Sequence, residues 1–535
     1  MSLLDACNII YMNNKLTDNL TPPATSLHFL VIIVLLIGVF FRFVNLDQKI
    51  YWYDESFTSL RVSGYKEIEL VAEAYNKHIL SIEDLQKYQR PNAEKGLVDT
   101  LNSLALEDAQ HPPLYYVIMH FWLQWFGNSI AARRSLSVVS SLLVFPCLYW
   151  LCLELFASVL MGWVALTLVA ISPLHVLYAQ EAREYSLWTL TILLSSVMLL
   201  YATRLQTKFS WVMYAVTVAL GFYTFTFSAF VSIGHGIYVT ATEGVRFTKT
   251  VTGFLLASLA GLVAFIPWLW VMIVNFSHIQ LTTNWLNHSH RCELLQNWLF
   301  NLCTVFFDLD FSHSFKNPFP YLITILVGYA IYVLCRYTPR RIWLFILTMI
   351  LATTLPLAVP DLVIGGQRSG ISRFLIPCYL ATQLAVAHLL VIHMTSTFIS
   401  IRQRQLWRLV MVMLISCGIL SCLMSSQSQV WWTKYHSRDN VVVASIINQA
   451  AYPLLITKPG NGLAFSYLLD PKVRLQLVVL SQIPITSNIY SNLFLYDSAH
   501  ELQPAYEKQG LYKLVRIYRP WFWKLIHRSV RIKDY

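Results

Sequence analysis

Two adjacent carboxylates, Asp54 and Glu55, stand in the stretch Tyr51-Trp52-Tyr53-Asp54-Glu55-Ser56, directly after an apolar run from Leu27 to Phe43. Charges at the mouth of a membrane helix are costly unless they are solvated or used. Neighbouring acids also repel each other's ionised forms, which raises the upper apparent pKa of the pair. A carboxylate in that position is suited to take the proton of an attacking hydroxyl, with its neighbour orienting it. The plainer reading is that the pair marks where the chain leaves the bilayer.

Three further polar groups lie at the ends of apolar runs. His111-Pro112-Pro113-Leu114-Tyr115-Tyr116 closes a long polar loop, and the prolines, with fixed φ and no N–H, suit a helix start. His111 is then held at the membrane surface, either as a solvated cap or as a positioning group. In Ser172-Pro173-Leu174-His175-Val176-Leu177-Tyr178-Ala179-Gln180-Glu181-Ala182-Arg183-Glu184-Tyr185, the charges of Glu181, Arg183 and Glu184 sit between two apolar runs. They form either a self-paired cap or a ligand-binding group. In Gly365-Gly366-Gln367-Arg368-Ser369-Gly370-Ile371-Ser372-Arg373, glycines let backbone N–H groups approach an anion and two arginines offer forked donors. That stretch suits a phosphate at headgroup level, or is a positively charged cytoplasmic loop.

The elements that carry these groups are membrane helices. Of 535 residues 56% are hydrophobic and only 13% charged, with a mean hydropathy of +0.52, whereas soluble domains are about 25% charged. Apolar runs near 27–45, 112–127, 135–153, 157–172, 185–203, 211–240, 252–274, 319–337, 341–359, 373–394 and 407–424 predict a polytopic α-helical membrane protein with about eleven spans. The first run has no small-residue cleavage site after it and is read as a retained anchor. Long loops fall at 46–111, with an amphipathic segment at Ile68–Tyr75, and at 276–318.

The net charge of +11 comes without a basic run interleaved with aromatics, which argues against nucleic acid and for membrane orientation. Arg133 and Arg134 read as cytoplasmic, yet so do Arg204 and Lys208, and strict alternation of spans cannot satisfy both. The nine cysteines show no disulfide or metal framework, with Cys7, Cys292 and Cys303 outside the apolar spans, and His288 and His290 lack zinc-site spacing. His313 lies in the same loop. Residues 1–430 are thus expected to form the transmembrane catalytic part. Residues 431–535, with 13 Lys+Arg against 6 Asp+Glu, a net of +7, are expected to form a small soluble α/β domain on the extracytoplasmic side. Its strand-like runs are Pro453–Thr457, Val473–Leu480, Asn488–Tyr496 and Tyr512–Tyr518, with a helix at Asn440–Gln449.

Asp54-Glu55, His111-Pro112-Pro113-Leu114-Tyr115-Tyr116, Gln180-Glu181-Ala182-Arg183 and Ser372-Arg373-Phe374-Leu375-Ile376-Pro377, in this order, resemble the bacterial relatives of the protein O-mannosyltransferases. These are polytopic GT-C glycosyltransferases of family 39, with the lipid A aminoarabinose transferase a more distant cousin. The resemblance implies a polyprenyl-phosphate sugar donor and inverting transfer at the outer face of a bacterial inner membrane. The acceptor is a hydroxyl on lipid, glycan or protein. It implies Asp54 as general base, with Glu55 beside it, His111 and Glu181 positioning the acceptor or loop, and Arg183, Arg368 and Arg373 on the donor phosphate. It leaves room for a divalent cation. A flippase or transporter of a lipid-linked sugar would also place arginines at the boundary, but the sequence shows no internal repeat with matching broken helices. A membrane scaffold with a soluble binding domain would tolerate loss of Asp54.

Overall fold

The computed structural model describes residues 25–528 except 78, 245, 288–290, 311–314, 398, 479–489 and 499. Cys7, His288, His290 and His313 lie outside the described residues, as do parts of the runs at 473–480 and 488–496. The chain forms two compact units, one from Met1–Leu46, Ala109–Tyr115 and Arg134–Gln427, the other from Asp47–Asp108, Tyr116–Arg133 and Ser428–Tyr535. This division cuts across the expected boundary at residue 430, because the first polar loop shares a core with the C-terminal sheet.

In the first unit the apolar runs become helices long enough to cross a bilayer. Among the described residues there are seven: Ile130–Phe156, Tyr185–Leu205, Lys249–Val274, Phe319–Tyr337, Arg340–Val363, Ser372–Thr395 and Ile401–Gln427. An eighth is a bent pair, Val159–Ala170 and Pro173–Ala179, at 63° to each other. The bend has a local cause. Pro173 disfavours the helical region for the residue before it, and Ser172 is accordingly extended. These are the helices of a multi-pass membrane protein.

Two of the expected runs differ from the helices that form. The run at 112–127 is a 13-residue helix, Leu114–Phe126, about 20 Å long against a hydrocarbon core of about 30 Å. The run at 211–240 is two helices, Lys208–Thr224 and Ser228–Glu243, of 17 and 16 residues. The break falls at extended Phe225, whose ring contacts Tyr185 and Trp188. The first run is a 19-residue helix, Thr25–Phe43. It meets Val159–Ala170 backbone to backbone, since a Cβ at Gly38 would lie 2.5 Å from the Ala170 carbonyl oxygen.

In the second unit, β1 (Pro453–Thr457), β2 (Arg474–Leu477), β3 (Asn492–Tyr496), β4 (Tyr512–Tyr518) and β5 (Phe522–His527) form one sheet in the order β2-β1-β3-β5-β4. The pairs β1–β2 and β1–β3 are parallel, while β3–β5 and β4–β5 are antiparallel. All five residues of β1 are buried, as a central strand covered on both faces requires. Leu455, Leu475 and Phe494 face Leu60, Leu70 and Leu85 of the first loop. Leu454, Ile456, Leu493 and Leu495, with Trp523 beside Leu495 on the same sheet, pack with Leu502 and Tyr506. The loop residue Leu80 exchanges backbone hydrogen bonds of 2.8 and 2.9 Å with Leu475. The expected amphipathic segment is the helix Glu67–Lys77.

Candidate functional site

In the second unit, Asp54 and Glu55 occupy the first turn of the helix Tyr53–Val62, where carboxylates favour the positive end of the helix dipole. Glu55 is fully buried. Its Oε2 lies 3.3 Å from Lys434 Nζ and accepts from the Trp52 amide at 3.4 Å. Lys434 also stands over the Trp52 ring at 5.3 Å. Asp54 is half-buried, and its carbonyl accepts from Thr58 Oγ1 at 3.0 Å. The two acids thus differ in setting, one inside an ion pair and the other at the surface of the unit.

In the first unit, the turn between Pro173–Ala179 and Tyr185–Leu205 gathers the other charges. Gln180 Nε2 donates to the carbonyls of Phe41 and Val44 at 2.8 and 2.9 Å. Ser137 Oγ holds the Arg183 carbonyl at 3.0 Å. The buried Arg183 guanidinium lies 3.1 Å from Glu184 Oε1, which also contacts His111 Nδ1 at 3.1 Å. Burial alone would push the Glu184 carboxyl up. Arg183 and the hydrogen-bonded His111 outweigh it and bring the group down to about 2.

Tyr185 organises the cluster. Arg183 and Arg373 each stand over its ring, at 5.6 Å from the centroid. Tyr178 meets the same ring edge-on at 5.2 Å, and its hydroxyl bonds Ser372 Oγ at 2.6 Å. Buried Glu181 and Arg373 both lie within electrostatic reach of Tyr178. The structure therefore brings together His111, Glu181, Arg183 and Arg373, and adds Tyr178, Glu184, Tyr185 and Ser372.

Arg368 faces elsewhere. Its guanidinium lies 3.3 Å from Asp361 Oδ1 and bonds Asn287 Oδ1. Asp361 also accepts from the backbone amide and hydroxyl of Ser369 at 2.6 and 2.7 Å. Gly366, at φ +137°, passes so close that a Cβ would sit 2.6 Å from Asp361 Oδ1. The glycine-rich stretch does wrap an anion, as its composition suggests, and that anion is the chain's own Asp361. Trp298 Nε1 and Asn301 Nδ2 then pin Ser369 Oγ and the Gly370 carbonyl at 3.1 and 2.8 Å. The sequence signal for this arrangement was an acid at the end of a proline-bearing apolar helix. Lys434 had no such signal.

Arg133 and Arg134, expected as loop charges, are instead engaged inside the protein. Both are buried: Arg134 donates to the Leu46 carbonyl at 2.8 Å, and Arg133 bonds Tyr467 and the Gln89 carbonyl. They begin the helix that ends near Glu154. Glu154 pairs with Arg204 at 2.8 Å, and its carbonyl accepts from Arg341 at 3.4 Å. Arg204 and Arg341 therefore share one end of the helices, and the Tyr185 cluster lies at the other. Among the described residues no three of His, Cys, Asp and Glu group as metal ligands.

Over residues 110–271 the sequence matches the family model described as dolichyl-phosphate-mannose-protein mannosyltransferase. That stretch includes His111, Glu181 and Arg183. No curated protein sequence matches the chain. Its fold is similar to that of ArnT from Cupriavidus metallidurans bound to undecaprenyl phosphate, with a TM-score of 0.55 at 11% identity, covering 95% of this chain and 99% of that one. The apo state of the same ArnT gives 0.53 at 10% identity, over 94% and 98%. On its fold, and on the sequence of residues 110–271, the chain resembles the polytopic GT-C glycosyltransferases of the protein-mannosyltransferase and ArnT type.

Proposed function

We propose that this protein is an integral-membrane glycosyltransferase that moves a sugar from a polyprenyl-phosphate donor to an acceptor hydroxyl. The observation that carries the reading is the pair of guanidiniums, Arg183 and Arg373, over one buried-edge aromatic ring where the spans end. Planar forked donors suit phosphate oxygens, and little water competes there. The similarly folded ArnT was solved with undecaprenyl phosphate bound, which favours a lipid phosphate over other anions.

The chemistry asks for two things. The acceptor oxygen attacks the anomeric carbon as its proton passes to a carboxylate, and the bond from that carbon to the phosphate oxygen breaks, inverting the centre. The electron pair leaves on the lipid phosphate. Asp54 is the proposed base, since Glu55 is committed to Lys434. The leaving phosphate gains charge and needs cations rather than an acid, a role for Arg183 and Arg373. His111 and Glu184 fix the orientation of Arg183. No group of three His, Cys, Asp or Glu that could hold a divalent cation stands among the described residues.

The face follows from charge. Arg204, Lys208, Arg336, Arg340, Arg341, Arg402, Arg404 and Arg408 cluster at the helix ends opposite the Tyr185 cluster. By the positive-inside rule that basic end is cytoplasmic and transfer occurs on the outer face. The test is competition binding of undecaprenyl phosphate against undecaprenol in nanodiscs. Wild type should bind only the phosphate, and Arg373→Ala should weaken it by about tenfold or more, the cost of a charged hydrogen bond. Equal affinity in wild type, Arg183→Ala and Arg373→Ala would remove the phosphate from this site.

A further inference from the structure

Arg42 is a fully buried charge in the apolar helix Thr25–Phe43, and the chemistry above leaves it without a task. Ionisable groups at such depth are expensive and usually serve a site. Its guanidinium donates four hydrogen bonds, two of them to the broken span. Nη1 donates to the Ala170 carbonyl at 2.5 Å and to Gly38 at 2.8 Å, and Nη2 donates to the Val169 carbonyl at 3.3 Å. Nε donates to Ser141 Oγ at 2.8 Å, and the cation lies 4.9 Å from the centre of the Phe145 ring. At the bend Val169 loses its i+4 partner, because Pro173 has no N–H, and its carbonyl keeps only the cap bonds from the amides of Ile171 and, at 3.4 Å, Ser172, while Ala170 is the last residue of its helix.

Gln180 returns the favour from the far end of the short helix Pro173–Ala179 by capping the carbonyls of Phe41 and Val44. Between the two caps, His175 Nε2 meets Gln383 at 3.0 Å and Tyr178 bonds Ser372, the residue before Arg373. Arg42, Ser141, His175, Tyr178, Ser186 and Thr189 line a cavity with room for about one water.

We infer that Arg42 is a positioning residue: by closing the broken end of Val159–Ala170 it fixes the helix Pro173–Ala179, and through Tyr178 and Ser372 it sets where Arg373 stands. The consequence for donor affinity rests on the proposed phosphate role of Arg373, whereas the clamp itself does not. A lysine cannot replace the arginine, because a single ammonium does not reach two carbonyls and a hydroxyl with the planar fork.

The test uses the full chain in nanodiscs, with Cys422 as the one retained cysteine. Its Sγ donates to the Ile171 carbonyl at 3.4 Å and lies within electrostatic reach of Arg42, so Arg42→Lys and Ser141→Ala, which keep a positive charge at residue 42, report on the bend, and Arg42→Gln also reads the loss of charge. Arg42→Gln, Arg42→Lys and the milder Ser141→Ala are compared as folded, monodisperse protein. The expected result is modification of Cys422 by N-ethylmaleimide about tenfold faster in both Arg42 variants, as local opening becomes easier. Undecaprenyl phosphate affinity should fall about tenfold in parallel, the usual effect of losing a group that orients a ligand's partner. Ser141→Ala should move both readouts in the same direction by less, and it decides the matter if the Arg42 variants do not fold. Unchanged Cys422 reactivity in folded variants overturns the clamp. Faster modification with unchanged undecaprenyl phosphate affinity upholds the clamp and overturns its link to Arg373. If wild type binds no undecaprenyl phosphate, the donor reading fails and the Cys422 rates alone judge the clamp.

Discussion

Replacing Glu184 by Gln removes the anion shared by Arg183 and His111, and the size of the effect follows from the structure. The carboxyl is brought from an ordinary value of 4.5 to about 2 by those partners against the opposing pull of burial. At roughly 1.4 kcal/mol per pKa unit, the ionised form contributes about 3 kcal/mol to stability. Because the folded-state value is the lower one, that contribution is complete above about pH 4.5 and is lost as pH falls through about 2. Breaking a buried pair from one side costs a similar few kcal/mol, since the other charge stays behind. Thermal unfolding of purified wild type and Glu184→Gln, followed by tryptophan fluorescence at pH 7, should show a clearly lower midpoint for the variant. The gap should narrow as the pH is taken from 4.5 toward 2.5, where wild type loses what the variant already lacks. Equal midpoints at pH 7 would refute the claim that Arg183 and His111 hold this carboxylate ionised.

Arg368→Ala should leave undecaprenyl phosphate affinity within about twofold of wild type, as expected of a group engaged with Asp361 and Asn287, while Arg373→Ala weakens it; the same competition assay separates them. Gly38→Ala should destabilise by about 1–3 kcal/mol, read as a lower melting temperature, because its Cβ would press on the Ala170 carbonyl. Lys434→Met should cost about 3–5 kcal/mol by leaving Glu55 buried without this partner, and adding Glu55→Gln should recover part of it in a double-mutant cycle read by thermal unfolding.

What the sequence made legible follows the range over which each signal acts. Hydropathy located most long helices, because burying about 20 apolar residues is a property of the run itself. It failed at 225–227, where no proline or glycine marks the break and ring contacts from Tyr185 and Trp188 hold Phe225. The positive-inside rule counts loop charges, and it has no purchase on Arg133 and Arg134, which are buried against Leu46, Gln89 and Tyr467. Arg368 and Arg373 stand five residues apart in one glycine-rich stretch. Only the fold shows that Asp361 takes the first and Tyr185 the second. Strand β5 escaped notice since three residues separate it from β4, with Arg519 at φ +51° turning the chain. The partnership of Glu55 with Lys434 spans 379 residues, a distance at which local pattern carries no information.

Whether this protein is a glycosyltransferase with Asp54 as its base is decided by transfer of labelled sugar from a panel of polyprenyl-phosphate sugars, using purified wild type and Asp54→Asn protein with lipid, glycan and protein acceptors separated afterwards. Wild type should transfer sugar from at least one donor with the anomeric centre inverted, and Asp54→Asn should lose transfer while still binding undecaprenyl phosphate. Transfer by Asp54→Asn at the wild-type rate would contradict the base assignment, and no transfer from any donor by well-folded wild type would contradict the enzyme itself.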